Sequence, residues 1–309
     1  MKKVCVIGTG VIGASWCTLF LAKGLDVVAT DISEGAEERL RAYIDNAWGA
    51  MEQLGLAEGA SKSRLVFEKE MDKAIRDVDF IQENGPERIE FKRELYNKLD
   101  NVLDKNVIIA SSSSGLTMSE IQKACDKHPE RCLIAHPFNP PHLIPLVELV
   151  GGEKTSTETI DRADTFYSAL GKKTVRVNKE VPGHIANRLQ AAICREVYHL
   201  VSNDIISAKD IDTALSWGPG LRWGTMGQLM LNHLGGGQGG IEHFFNQFTG
   251  PMLSWWATLG NPEMNEEEVQ KIIASVHEET QDYSFDQLSE ARDKMLLALL
   301  DIRNHSELQ

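Results

Sequence analysis

Apolar and polar positions follow two different periods along the chain. Up to residue 177, short apolar runs alternate with helix-like stretches, which is typical of strands buried on both faces of a parallel sheet. From Pro182 onward, apolar residues recur at every fourth position, as in helices with one buried face. The pattern predicts an α/β fold with a doubly wound, mostly parallel sheet in residues 1–181, followed by an all-helical domain in residues 182–309. The predicted strands cover 4–7, 25–30, 65–67, 80–81, 107–110, 132–135, 146–150 and 173–177, and the main predicted helices cover 34–54, 157–170, 208–217, 266–281 and 286–304, with a long helix from 182.

A glycine-rich turn follows the first predicted strand. Its Gly8, Gly10 and Gly13 have the G-x-G-x-x-G spacing, in which the glycines permit a tight turn, close approach of a pyrophosphate and close packing of the next helix. Asp31 ends the second predicted strand, where it would bind an adenosine ribose and repel a 2'-phosphate. These features predict a Rossmann-type domain that binds NAD rather than NADP, although glycine turns also occur in other α/β folds. The predicted cofactor-binding residues here are Gly8, Thr9, Gly10, Val11, Ile12, Gly13 and Asp31.

A histidine and a glutamate are predicted to meet at the rim of the sheet. His136 ends the apolar run 132–135, and the prolines after it stop the strand. Glu148 lies within the next apolar run, far enough along for the chain to fold back. A carboxylate behind an imidazole fixes its tautomer and stabilises its charged form, as a general base acting on a hydroxyl requires. A buried pair with a purely structural role is the alternative.

Further polar residues follow the carboxyl ends of predicted strands, where ligands bind in open α/β sheets. Glu87 comes after the strand at 80–81, with Lys92 in the helix that follows, and Ser114 ends a run of serines after the strand at 107–110. Asn187 falls in the first turns of the long helix, close to the same edge if that helix starts at 182. For Ser114 alone, ordinary turn formation is an equal alternative.

Charge and cysteine content exclude several classes of protein. Among 309 residues, 45 are acidic and 32 basic, for a net charge of −13. We therefore expect neither a nucleic acid nor an anionic membrane as a partner. The five cysteines are scattered, without metal-binding spacing, which indicates a reduced, cytoplasmic protein without a structural metal. The first residues enter a strand pattern at once and no apolar run is long enough to span a membrane, so we expect neither a signal segment nor an anchor.

Together, these motifs resemble those of the 3-hydroxyacyl-CoA dehydrogenase superfamily over essentially the whole chain. The resemblance implies that His136 takes the proton of a substrate hydroxyl while hydride leaves the same carbon for NAD, with Glu148 orienting His136. It also implies that Ser114 and Asn187 bind the substrate oxygen, and that Glu87 and Lys92 lie near the cofactor ribose and nicotinamide. The motifs are Gly8-Thr-Gly-Val-Ile-Gly13, Ser111-Ser-Ser-Ser114-Gly-Leu, His136-Pro-Phe-Asn-Pro, Pro145-Leu-Val-Glu148 and Pro182-Gly-His-Ile-Ala-Asn187-Arg.

Other segments resemble the branch of the superfamily that oxidises L-carnitine, including Phe80-Ile-Gln-Glu-Asn-Gly-Pro-Glu87 and Gly220-Leu-Arg-Trp223. A small trimethylammonium substrate also agrees with the many aromatic residues of the second half, because aromatic faces attract quaternary ammonium groups. Core packing or a dimer interface is the alternative for each ring. The predicted substrate residues are Phe138, Asn139 and Trp223.

Other functions stay open. The residues after Asn139 resemble the L-gulonate 3-dehydrogenase branch, and His142 among them could line the pocket or face solvent. L-3-Hydroxyacyl-CoA, such as 3-hydroxybutyryl-CoA, is less favoured because the predicted helix 34–54 is net acidic, where CoA-using members have basic residues. A lens crystallin resembles the same superfamily, so an NAD-binding structural protein is the alternative of another class. We expect the helical domain to pair as a homodimer.

Overall fold

A computed structural model describes residues 1–306, and the chain divides into two compact units. The first unit is Met1–Arg188, and the second begins at Leu189. The domain boundary before Pro182 stays a prediction, and residues 182–188 lie in the first compact unit of the structure. The functions predicted for the two domains stay predictions.

Eight strands form one sheet in the first unit. They are β1 (Lys3–Ile7), β2 (Asp26–Thr30), β3 (Leu65–Phe67), β4 (Phe80–Glu83), β5 (Ile108–Ser111), β6 (Cys132–Pro137), β7 (Leu146–Gly151) and β8 (Lys173–Val177). Their spatial order is β3-β2-β1-β4-β5-β6-β7-β8, and every neighbouring pair is parallel except β6 and β7. The predicted doubly wound, mostly parallel sheet is confirmed. The order reverses between β1 and β4, which is the point of such sheets where dinucleotides bind.

Strand residues point alternately into two separate cores. Val6 of β1 and Ala135 of β6 pack in one cluster, whereas their neighbours Cys5 and Ile134 pack in the other. Burial of both faces explains why these strands read as continuous apolar runs. The helices of this part are α1 (Val11–Ala22), α2 (Ala36–Leu54), α3 (Met71–Ala74), α4 (Ile89–Val102), α5 (Met118–Ile121) and α6 (Thr157–Ala169), with short 3-10 helices at Lys62–Arg64, Gln122–Ala124 and Pro129–Arg131. The next helix, α7 (Ala186–Ser202), begins in the first unit and continues into the second.

The long helix α7 begins at Ala186, later than the predicted start at Pro182. Gly183 and His184 have positive φ angles of 76° and 49°, which an α-helix does not accept. A turn therefore separates Pro182 from the helix.

The second unit is all helical, as predicted. Among its described residues, the buried apolar side chains are Val201, Ala208, Ile211 and Leu300. The helix α11 was not predicted from the sequence, because it contains Pro251 and proline normally ends a helix. No helix in residues 1–306 is both long enough and apolar enough to cross a membrane. The helices are α8 (Ala208–Trp217), α9 (Pro219–Trp223), α10 (Gln228–Gly235), α11 (Gly240–Trp256), α12 (Glu266–Thr280) and α13 (Phe285–Asn304).

Candidate active site

The glycine turn after β1 has the geometry that its sequence predicts. Gly8 has a φ of 83°, and a Cβ there would lie 2.8 Å from the carbonyl oxygen of Asn84. A Cβ on Gly13 would lie 1.9 Å from the carbonyl oxygen of Gly8, so α1 could not pack as closely on β1. A Cβ on Gly10, by contrast, would meet nothing within 4 Å. The turn therefore leaves open space at Gly10.

The helix α1 starts at this turn without a side-chain cap. Its first turn, with Val11, Ile12 and Gly13, carries no acidic residue. The N–H groups and the dipole of such a helix start favour an anion such as a pyrophosphate. A cavity of about 560 Å³ adjoins the turn. Its lining includes Gly8, Gly10, Asp31, Ile32, Met71 and Phe91.

Asp31 follows β2 and is fixed beside the glycine turn. Its Oδ2 accepts hydrogen bonds from the amide and the hydroxyl of Thr9, at 2.7 and 3.0 Å, and its Oδ1 accepts one from the Ser33 amide at 2.8 Å. Burial acts to raise the pKa of Asp31, but these hydrogen bonds together lower it by more, so the pKa lies below its ordinary value. An ionised carboxylate therefore stands at the edge of the cavity.

The antiparallel strands β6 and β7 place His136 opposite Glu148. The Nδ1–H group of His136 donates to Oε2 of Glu148 at 2.8 Å, and the two residues are only 4% and 1% exposed. The carboxylate lies behind the imidazole, as expected from the spacing. Because Nδ1 carries the proton of the neutral ring, Nε2 has the lone pair.

The other oxygen of Glu148 binds the start of α7. The amides of Ile185 and Ala186 donate to Oε1 at 2.8 and 3.0 Å. Burial acts to raise the pKa of Glu148, whereas the hydrogen bonds from His136 and from the two amides lower it, and the net pKa is below its ordinary value. Glu148 thus connects His136 to the helix whose first turn carries the half-buried Asn187.

Glu87 organises the serine loop after β5. Its Oε1 accepts hydrogen bonds from the Ser113 hydroxyl at 2.6 Å and from the amides of Ser114, Gly115 and Leu116 at 3.1, 2.8 and 3.1 Å. Burial acts to raise the pKa of Glu87, but these hydrogen bonds lower it below its ordinary value. Ser114 itself is exposed on this loop. A residue that the sequence assigns to the cofactor therefore also holds the backbone of Ser114.

Lys92 is buried, with its ammonium group close to two glutamates. Nζ lies 2.9 Å from each carboxylate oxygen of Glu83, and the Ser111 hydroxyl donates to the same carboxylate at 2.6 Å. Oε2 of Glu87 is 4.0 Å from Nζ. The ammonium group is thus engaged with Glu83, and its predicted contact with a cofactor stays a prediction.

The predicted substrate residues lie in different parts of the chain. Phe138 is half-buried and Asn139 exposed, directly after the strand that carries His136. Trp223 ends α9 in the second unit, where its Nε1–H donates to Oε1 of Gln228 at 2.6 Å. That these residues contact the substrate stays a prediction.

A buried lysine anchors the loop after Phe138. Lys172 donates to the carbonyl oxygens of Pro141 and Ile144, the latter at 2.8 Å, and its Nζ lies 5.0 Å from the centroid of the Trp16 ring. Burial lowers the pKa of Lys172 to about 7. The loop is therefore tied to the turn between α6 and β8.

The loop also contains His142, which is 9% exposed. Its amide donates to Oγ of Ser15 on α1 at 2.8 Å, and the Ser15 hydroxyl lies 2.7 Å from its Nδ1. The solvent-facing alternative for His142 is therefore wrong, because α1 covers this side chain.

Two family models match this chain and together cover most of it. The family model described as 3-hydroxyacyl-CoA dehydrogenase, NAD binding domain, matches residues 3–181, and the model of the C-terminal domain matches residues 183–276. The chain belongs to the 3-hydroxyacyl-CoA dehydrogenase family. It binds NAD and is an NAD-dependent oxidoreductase that acts on a CH–OH group.

Similar proteins match the chain over nearly its whole length. An L-carnitine dehydrogenase of Bacillus cereus is 46% identical, covering 98% of this chain and 92% of that one. One from Oceanobacillus iheyensis is 45% identical over 98% of both chains. The crystal structure of 5-formyl-3-hydroxy-2-methylpyridine 4-carboxylic acid 5-dehydrogenase, an NAD+ dependent dismutase, is 28% identical with a TM-score of 0.84, covering 99% of this chain and 100% of that one.

One residue of this dehydrogenase site was missed by the sequence reading. His184 is 1% exposed, its ring centroid is 5.0 Å from that of His136, and its Nε2–H donates to the carbonyl oxygen of Ser113 at 2.9 Å. Helical periodicity gives no signal for it because it lies in the turn before α7. A histidine directly after Pro182-Gly183 was the available signal.

Proposed function

We propose that this dehydrogenase oxidises the 3-hydroxyl group of L-carnitine to give 3-dehydrocarnitine and NADH. The observation that carries the chemistry is the buried hydrogen bond of 2.8 Å between His136 and Glu148. Sequence identity of 46% and 45% to enzymes named L-carnitine dehydrogenase supports this substrate. The oxidation removes a hydride from C3 and a proton from the hydroxyl, so it needs a hydride acceptor and a base.

His136 is the proposed general base. Glu148 holds the proton of the neutral ring on Nδ1, so the lone pair of Nε2 is available for the hydroxyl proton. After Nε2 takes that proton, Glu148 faces an imidazolium and stabilises it. The lowered pKa of Glu148 keeps its carboxylate ionised at neutral pH. The pair therefore accepts one proton, on His136.

Ser114 and Asn187 are the proposed donors to the substrate oxygen as negative charge develops on it. Each is held through a carboxylate: Glu87 binds the amide of Ser114, and Glu148 binds the amides just before Asn187. Donors that are fixed in advance stabilise the transition state without reorganising.

The glycine turn fits the cofactor that the family requires. The open space at Gly10 and the uncapped start of α1 suit a pyrophosphate, and the ionised Asp31 suits the hydroxyls of a ribose. When bound, NAD supplies the acceptor for the hydride. Glu87 and Lys92 are proposed to lie near its ribose and nicotinamide.

Aromatic rings are proposed to bind the trimethylammonium group. Such a group cannot donate hydrogen bonds but is attracted to ring faces, and Phe138 and Trp223 are the proposed rings, with Asn139 beside Phe138. Helix α2 carries four acidic and two basic residues, which disfavours the phosphates of CoA in this region.

Formation of NADH with three substrates in parallel tests the proposal. We expect kcat/KM for L-carnitine to exceed that for L-gulonate and L-3-hydroxybutyryl-CoA by at least about 10-fold. NADH formed only with the thioester would contradict the small-acid proposal. L-Gulonate is the second candidate, because the residues after Asn139 resemble that branch.

A His136→Gln variant tests the base and separates an enzyme from an NAD-binding structural protein. We expect kcat to fall by about 10²- to 10⁴-fold because the proton acceptor is lost, with NAD binding retained. His128→Gln is the matched control, since His128 lies at a turn where its Nδ1 is 3.1 Å from Oε1 of Glu130. A His136→Gln variant that changes only the melting temperature would argue for the structural role.

We further propose that the protein is cytoplasmic and forms a homodimer with no nucleic acid or membrane partner. The five free cysteines, four of them buried, are typical of a reducing compartment. Large apolar side chains exposed on the second unit support association of two copies.

A further inference from the structure

A second histidine lies beside the proposed base, and the proposed mechanism does not use it. The ring centroids of His184 and His136 are 5.0 Å apart, and His184 is 1% exposed. Its Nε2 lies 2.9 Å from the carbonyl oxygen of Ser113, an atom that can only accept. Nε2 therefore carries a proton, and in the neutral ring Nδ1 is a bare acceptor.

His184 has two unfavourable features that an ordinary core residue would avoid. Its φ of 49° lies in the left-handed region of backbone conformation, which a residue with a Cβ rarely adopts. Its Nδ1 is buried and has no hydrogen-bond partner in the described part of the chain. Strained backbone and unsatisfied buried atoms both cost free energy and concentrate at functional sites. Stability alone does not explain a histidine at this position.

The hydrogen bond of His184 connects the two segments that carry the proposed oxygen donors. Ser113, its acceptor, directly precedes Ser114. On the other side, His184 lies in the turn that leads to Asn187 in the first turn of α7. The amides between them bind Glu148, which also holds His136. Loss of this contact would uncouple the serine loop from the start of α7.

The charges around His184 favour its neutral form. Burial has the largest effect and lowers the pKa of His184, and the nearby His136 lowers it as well. The hydrogen bond to Ser113 and the carboxylates of Glu148 and Glu87 raise it by less, so the pKa stays below its ordinary value. A neutral ring can stand beside His136 when that residue takes a proton, whereas a second cation would oppose the transfer.

We propose that His184 is a positioning residue, which sets Ser114 and Asn187 around the substrate oxygen through its hydrogen bond to Ser113. This inference rests on the proposed function, because it defines the role of His184 relative to the base and the donors proposed there. In this role, His184 does not need to contact the substrate.

The variants His184→Leu and His184→Gln test the inference. Both residues meet the same left-handed backbone, but only glutamine keeps a donor for the Ser113 carbonyl. We expect kcat of His184→Leu to fall at least about 10-fold and the primary deuterium isotope effect on kcat to rise, because misplaced donors slow hydride transfer. We expect His184→Gln to stay within about 3-fold of the wild type, and both variants to bind NAD as the wild type does.

The assay uses whichever of L-carnitine, L-gulonate and L-3-hydroxybutyryl-CoA the wild type oxidises fastest. A failure of L-carnitine as a substrate therefore overturns the proposed function without affecting this test. Equal activity of the leucine and glutamine variants would overturn the positioning role. A loss of activity in His184→Leu that is fully explained by a smaller fraction of folded protein, as measured by thermal unfolding, would also overturn it. An unchanged isotope effect in His184→Leu would overturn it as well.

Discussion

At the scale of single residues, Glu148 shows how one carboxylate can serve three purposes. One oxygen accepts the Nδ1 proton of His136, and the other accepts the amides of Ile185 and Ala186. It therefore sets the tautomer of the histidine, neutralises the start of α7 and fixes the position of one relative to the other.

Replacing Glu148 by glutamine should slow catalysis strongly without removing His136. The two amides of α7 retain the carbonyl oxygen of the glutamine, so its NH₂ group faces Nδ1 and favours the tautomer that carries its proton on Nε2. That tautomer cannot accept a proton from the substrate, so we expect kcat to fall by about 100-fold or more. Steady-state kinetics check this, and a fall of less than about 3-fold would contradict the proposed role of the pair.

The same variant should change how stability depends on pH. The pKa of Glu148 is lower in the folded protein than its ordinary value, so its carboxylate stabilises the fold above the unfolded pKa of about 4.3. This contribution is lost as the pH falls through the folded pKa. We expect the melting temperature of the wild type to exceed that of Glu148→Gln at pH 7, and the difference to shrink below about pH 4.3. A constant difference would show that its charge is not responsible.

At the scale of elements, the strand–turn–helix unit β1–α1 assigns different tasks to its glycines. Gly13 lets the helix approach the strand, because a Cβ there would lie 1.9 Å from a carbonyl oxygen. A Cβ on Gly10 would have no neighbour within 4 Å, so the lack of a side chain there is not needed for packing and instead leaves room for a ligand. Folding and binding can therefore be separated within one turn.

The variants Gly10→Ala and Gly13→Ala should give different results. We expect Gly10→Ala to keep the wild-type melting temperature within about 2 °C but to bind NAD at least about 10-fold more weakly, because its methyl group occupies the space of the pyrophosphate. We expect Gly13→Ala to melt several degrees lower, because α1 must shift. Calorimetry and titration with NAD measure both effects. NAD binding by Gly10→Ala at wild-type strength would place the pyrophosphate elsewhere.

At the scale of the whole molecule, the second unit exposes much apolar surface for its length. Its described residues bury few apolar side chains, whereas large ones are exposed along several helices. Soluble monomers rarely expose many of these, so the proposed homodimer gives a reason for them. Among those at least 55% exposed are Leu189, Trp217, Leu229, Trp255, Trp256 and Phe285.

Sedimentation should show a particle of twice the chain mass of 34.4 kDa. We expect Trp217→Glu to weaken association, because a charge at an apolar contact loses its hydration. Val102→Glu is the matched control, since Val102 is 58% exposed but belongs to the first unit. A wild type that sediments as a monomer at micromolar concentration would contradict the dimer.

Much of the fold was predictable because the signals are local. Buried strands of a parallel sheet are apolar throughout, and the helices show their periodicity over neighbouring residues. Elements with weak local signals were missed, such as α11 with its internal Pro251, and the start of α7 was placed too early because the two positive φ angles are not visible in the periodicity.

Local sequence signals were enough to identify the glycine turn, the carboxylate after β2 and the spacing that allows His136 and Glu148 to meet, because each depends on residues close together along the chain. Three contacts became visible only in the folded chain: Glu87 holds the serine loop, Lys92 is engaged with Glu83, and His184 connects Ser113 to the start of α7. Those contacts join residues far apart in the chain, and strand order and register, which local patterns do not specify, bring them within hydrogen-bond distance.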